Sequence, residues 1–115
     1  PMADGPTSQR AAERALRHNI TLEDILRVIK NARQKSSIPI VLFTYFNPVF
    51  RYGVEKFAKD AGRAGVDGVL ILDLPVEESG EYRRIIASYG LKIIYLLAPT
   101  SNDKRIRLIC RNASG

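Results

Sequence analysis

Three runs, IPIVLFTY at 38–45, VDGVLILD at 66–73 and LKIIYLLA at 91–98, constrain this chain more than any other feature. Each is short, rich in β-branched side chains and apolar at successive positions. An extended segment of that kind buries both of its faces, the pattern of parallel strands covered on both sides. The runs start 28 and then 25 residues apart, and helical patterns fill the gaps. Val54, Phe57, Ala58, Ala61 and Ala64 recur at helical spacing after RYG, and Gly65 supplies the left-handed residue that ends the pattern. Tyr82, Ile85, Ile86 and Tyr89 repeat the spacing, with Gly90 as the stop. Ahead of the first run, Thr21 can cap a helix carrying Leu22, Ile25, Leu26, Ile29 and Ala32 on one face, with Asp24 near the capping-box position. Past the last run, Thr100 or Ser101 can cap a helix built on Ile106, Ile109, Cys110 and Ala113, which makes Cys110 a small core residue.

The order that results is helix, helix, β, α, β, α, β, α, an α/β repeat in which right-handed crossovers lay the strands parallel. A doubly wound open sheet and a (β/α)8 barrel both use it. No G-x-G-x-x-G or G-x-x-x-x-G-K-[ST] follows any run, which counts against a nucleotide-binding open sheet. A complete barrel needs about 250 residues. On the barrel reading, the 115 residues here, with about three strands, would be a single partial (β/α)8 TIM-barrel domain over 1–115, a little under half of a whole barrel. Pro1 precedes Met2, so the expectation is a cut end and a longer parent.

Charge and composition narrow the function classes. The net charge of +6 comes from basic residues spread over successive helical patterns and interleaved with acids, as in Arg10, Glu13, Arg14 and Arg17. Without a basic run carrying aromatics, these are solvated helix faces and no nucleic-acid site is expected. No stretch approaches the roughly 18 continuous apolar residues of a membrane span. Cys110 and His18 are the sole residues of their types and lie far apart, so neither a metal site nor a Cys-His nucleophile pair is expected. A single cysteine agrees with a reducing compartment.

Chemistry in α/β proteins collects at the carboxyl ends of the strands. Tyr45 shares a face with Val41 and Phe43, and Asn47-Pro48 starts a turn beyond. Leu70 and Leu72 share a face with Asp73 following, and Leu96 shares one with Ala98. Together these ends offer one aromatic hydroxyl, several leucines and one acid, an apolar pocket with sparse polar groups. Tyr45 fits a core-edge tyrosine as well as a ligand contact. Asp73, before Leu-Pro, reads first as an acceptor for backbone N–H groups, and Asp4, before Gly-Pro, fits an Asx turn.

The segments PMADGPTSQRA, IPIVLFTYFNPVFRYG, AGVDGVLILDLPVEES and LLAPTS resemble, in order and spacing, the tryptophan synthase alpha chain family. The first five residues match the tail of a family signature reading roughly E-x-G-x-P-F-S-D-P-x-A-D-G, and TSQ stands where the family usually has TIQ. The resemblance implies a carbon-carbon lyase that cleaves indole-3-glycerol phosphate into indole and glyceraldehyde 3-phosphate. It needs two carboxylates: a Glu upstream of Pro1 as general acid, and Asp4 as the partner of the indole N–H. It implies an indole pocket lined by Phe43, Tyr45, Leu70, Leu72 and Leu96, and a partner-facing surface at Asn47, Pro48, Asp73 and Pro75. That partner is the beta subunit, to which the pyridoxal phosphate belongs, so no cofactor and no metal are expected here. The first strand and the phosphate-binding loops would lie outside 1–115, leaving the isolated chain without turnover. The location implied is the cytoplasm, or a plastid if the parent is from a plant. Two other readings remain: another phosphate-binding TIM-barrel enzyme, or a non-catalytic half-barrel that binds a partner.

Overall fold

The computed structural model describes residues 5–115. The three apolar runs form β1 (Val41–Thr44), β2 (Gly68–Ile71) and β3 (Lys92–Ile94), all parallel in the order β1-β2-β3. Phe43 lies opposite Leu70 and Leu70 opposite Ile94, so register follows the sequence repeat. Six helices accompany them among the described residues: α1 (Pro6–Arg17), α2 (Leu22–Arg33), α3 (Phe46–Tyr52), α4 (Val54–Ala64), α5 (Gly80–Ser88) and α6 (Asp103–Asn112). A 3-10 turn at Val76–Glu78 precedes α5.

Alternation along the strands sorts the side chains into two layers. Leu42, Val69, Ile71 and Ile93 join a core with Leu26 and Ile29 of α2, Val49 of α3, Phe57, Ala58 and Ala61 of α4, and Ile86 of α5. Val49, Phe57, Val69 and Ile86 have no exposure at all. The expectation of a sheet covered on both sides is not met among the described residues. Val41 is 45% exposed and Phe43 61%. The reason is architectural: the inner face of a barrel wall is covered by the opposite wall, and three strands make one wall only.

Local chemistry explains where the helices begin and end. Thr21 forms the capping box: its hydroxyl accepts from the Asp24 amide while the Asp24 carboxylate accepts from the Thr21 amide. Gly65 adopts φ 99° and ψ 23° at the end of α4, and Gly90, at φ 77°, follows α5. The cap of α6 is neither Thr100 nor Ser101 but Asn102, whose side chain accepts from the Arg105 amide at 2.8 Å. Ser101 turns the other way and accepts from the Ala98 amide. Asn47-Pro48 does not start a turn; both lie in the first turn of α3, where a proline loses no helical bond. On α2 the core-facing stripe is narrower than expected, with Ile25 and Ala32 exposed. Cys110 is exposed as well, because α6 turns Ile109 to the core and its neighbour faces away.

At the amino ends of the strands, Arg33 closes the base. Its guanidinium donates to the carbonyls of Gly65 (3.1 and 2.6 Å), Ser36 (3.3 Å) and Ile38 (2.8 Å), and to Asp67 Oδ2 (2.6 Å). Asp67 also accepts from the Ile40 amide at 2.8 Å. That backbone bond first, then the guanidinium, holds its carboxyl below the usual range.

Candidate functional site

Two cavities open at the carboxyl ends of the strands, on either side of the segment that links β2 to α5. The first, about 240 Å³, is lined by Leu70, Leu72, Leu96, Tyr95, Ile109 and Arg105 among others. The second, a groove of about 650 Å³, is lined by Phe46, Asn47, Phe50, Val54, Tyr82 and Ile85, with Glu78 and Glu81 among its other residues. Asp73 and Leu74 line both, so this segment is their common wall.

The structure thus brings Leu70, Leu72 and Leu96 together with Asp73 and Pro75 around one apolar cleft. Phe43 stands beside Leu70 on the open face of the sheet, outside that cleft. Tyr45, half-buried, is the N-cap residue of α3 and likewise lies off the cleft lining. Asn47 and Asp73 share the larger groove, while Pro48 is exposed beside it. Asp4 lies outside the described residues. Asp73 accepts the Phe46 amide at 2.7 Å, so it ties the start of α3 to the end of β2. The acceptor role read for Asp73 from its turn is met by a backbone group 27 residues away.

The wall segment is held from below by several bonds. Ser79, fully buried, donates to the Val76 carbonyl at 2.9 Å and lies 2.7 Å from the Tyr95 hydroxyl. Arg83 donates to the same carbonyl at 3.3 Å, and Arg105 of α6 pairs with Glu77. Burial raises the Tyr82 phenol well above its ordinary range, and its hydroxyl is enclosed without a hydrogen-bond partner. Sequence reading passed over Ser79, Tyr82, Tyr95 and Arg105. In the sequence Tyr82 reads only as an apolar residue at helix spacing. For Tyr95 a signal existed: it alternates with Leu96, so it had to point to the helix side of β3.

Chemically, the cleft offers an apolar slot with one carboxylate and one guanidinium at its rim, suited to a flat hydrophobic ligand with a polar end. No group of three His, Cys, Asp or Glu residues placed to hold a metal occurs among the described residues. No described helix is long and apolar enough to cross a membrane.

Comparison with known proteins adds to this geometry. The family model for the tryptophan synthase alpha chain matches residues 1–115. The alpha chain of Geotalea daltonii is 53% identical over 115 residues, and that of Geobacter sulfurreducens 50%. All of this chain is covered in both, and 44% of each relative, so the chain spans less than half the length of the curated relatives it matches. Among solved structures, the mutually activating α2β2 tryptophan synthase complex of Pyrococcus furiosus superposes with a TM-score of 0.96 at 41% identity, over all of this chain and 49% of that one. The alpha subunit of Legionella pneumophila superposes with a TM-score of 0.95 at 41% identity, over all of this chain and 44% of that one. The reading of the fold as part of a (β/α)8 barrel stands on these superpositions.

Proposed function

The chain belongs to the tryptophan synthase alpha chain family, and from that premise we propose that it forms part of a lyase that cleaves indole-3-glycerol phosphate to indole and glyceraldehyde 3-phosphate. The observation that carries the reading is the apolar cleft of Leu70, Leu72 and Leu96 at the strand ends, with the Asp73 wall beside it. An indole ring needs such a slot, since burying its faces supplies the binding energy and leaves the ring nitrogen for a polar partner.

In the proposed chemistry a glutamic acid upstream of Pro1 protonates C3 of the ring, and positive charge grows at the ring nitrogen. Asp4 accepts the indole N–H and stabilises that charge, an interaction worth far more in a dry pocket than in water. The bond between C3 and the glycerol chain then breaks, its electron pair returns to the ring, and the chain hydroxyl passes its proton to the now ionised glutamate as it becomes the aldehyde. Asp4 directly precedes Gly5 and Pro6 in the sequence, the N-cap and first residue of α1, and catalysis of this kind depends on a carboxylate held within reach of the ring nitrogen. All of this is acid-base work, and it requires no cofactor or metal on this chain. The groove at Asn47 and Asp73, with Pro48 and Pro75 beside the same wall, faces a beta subunit that takes up the indole and carries the pyridoxal phosphate. A bacterial cytoplasm is the compartment this reading implies.

The test is indole release from indole-3-glycerol phosphate by the full-length parent with its beta subunit, wild type against Asp4→Asn. Removing one preorganised charge partner lowers the rate by about 10² to 10³. Equal rates would reduce Asp4 to a turn residue and refute the mechanism. Absence of cleavage by wild type would refute the assignment of activity.

A further inference from the structure

The hydrogen of Ser79 can be placed by elimination. Its single hydroxyl proton is committed to the Val76 carbonyl, 2.9 Å away. In the 2.7 Å contact between Ser79 and Tyr95 the tyrosine must therefore be the donor. A directed chain runs from Tyr95 through Ser79 to the Val76 carbonyl, crossing from the residue that follows β3 to the segment between β2 and α5. The Tyr95 oxygen keeps its lone pairs, and the enclosed, unpartnered Tyr82 hydroxyl belongs to the same buried region. Tyr95 lines the smaller cleft and Tyr82 the larger groove, on opposite sides of the wall that Asp73 and Leu74 form.

We propose that Tyr95 and Ser79 are positioning residues that fix this wall and so transmit partner docking at the groove to the cleft. The inference rests on the proposed lyase reading and deepens it by naming the device through which the partner acts. The geometry supports transmission because the bonded elements are stiff and adjacent. Val76 follows Pro75 directly, and Leu96 follows Tyr95. A partner pressing on Asn47 or Asp73 moves the segment whose Val76 carbonyl is bonded to Ser79, and Ser79 is bonded to Tyr95, which leads from β3 into Leu96. Without the hydroxyls the wall keeps its apolar packing but loses its register to β3.

The experiment uses the full-length parent with and without its beta subunit, carrying Tyr95→Phe, Ser79→Ala or both. The readouts are the ratio of indole release with and without partner, and amide hydrogen exchange over residues 76–83. Each single variant is expected to cut the activation ratio about fivefold and to speed exchange in that segment. The double variant should be no worse than the poorer single, since both remove one chain. An unchanged ratio, equal losses with and without partner, or additive effects would each overturn the proposal. If wild type does not cleave the substrate, the lyase reading falls separately. The exchange readout then decides, and unchanged protection in both single variants overturns the positioning role of Tyr95 and Ser79 itself.

Discussion

Replacing Gly65 by alanine should cost more than its backbone angle alone, and the surplus measures the Arg33 clasp. Gly65 ends α4 at φ 99°, where a non-glycine residue pays about 1–2 kcal/mol. A Cβ there would also stand 2.8 Å from both Cγ and Nε of Arg33, closer than real side-chain contacts allow. Arg33 cannot swing aside freely, because two of its nitrogens donate to the carbonyl of Gly65 itself. Displacing a charged donor from a half-buried carbonyl costs about 1.5 kcal/mol at the low end, which brings the total to about 3 kcal/mol. Gly90 supplies the reference. It has φ 77° but no atom within 4 Å of a built Cβ, so Gly90→Ala should cost only about 1–2 kcal/mol. Equilibrium urea unfolding of both variants, each also made in an Arg33→Ala background, closes the cycle. Gly65→Ala is expected to fall to the Gly90→Ala level once Arg33 is gone. The same cost in both backgrounds would refute the clasp.

Three further outcomes follow from the same geometry. Asp73→Ala should destabilise the chain by about 1 kcal/mol through the lost Phe46 bond, whereas Asp73→Asn, which still accepts, should not; urea midpoints compare them. Asp67 has a folded pKa below its ordinary 3.8, so its contribution is present above that value and lost as pH falls through the lower folded one. Unfolding midpoints measured from about pH 5 to pH 2 should drop, with Asp67→Asn showing a shallower decline. The chain by itself should associate through the open sheet face, where Phe43 is 61% and Leu96 58% exposed. Sedimentation equilibrium should find oligomers that Phe43→Glu weakens, and a clean monomer at micromolar concentration would contradict this.

Much of the scaffold was legible because it is local. Phe57, Ala58, Ala61 and Ala64 share one face of one helix, and spacing alone finds them. Thr21 and Asp24 are three residues apart, within reach of a motif. Strand bounds came out too long, since Ile38, Pro39 and Ile40 are apolar yet precede the ladder, and proline has no N–H to give it. The helix at Phe46–Tyr52 was hidden because Asn-Pro reads as a turn wherever it stands, and only the surroundings show that it lies inside a first turn. At the site, alternation marked Leu70, Leu72 and Leu96, three residues on one wall. It could not reveal the bonds between Asp73 and Phe46 or between Ser79 and Tyr95, whose partners lie 27 and 16 residues apart. Phe43 and Tyr45 kept the same strand phase but fell outside the cleft, because phase gives a face and not a distance.

The order β1-β2-β3 means that each strand pairs with a neighbour in the chain, and α4 packs on α2, α3 and α5. Energetically this is a linear array of units coupled to their nearest neighbours, the arrangement found in repeat proteins. Among the described residues only β2 has a strand on both sides. Opening therefore costs most there and least at the outer strands, so the chain would unzip inward from its edges. The bonds at Arg33 and Ser79 lie at opposite ends of this array's central unit, one at the foot of β2 and one beyond its carboxyl end. Each ties the central unit to an outer one, Ser79 to Tyr95 just past β3 and Asp67 to Ile40 just before β1, so any such unzipping must break them as it begins.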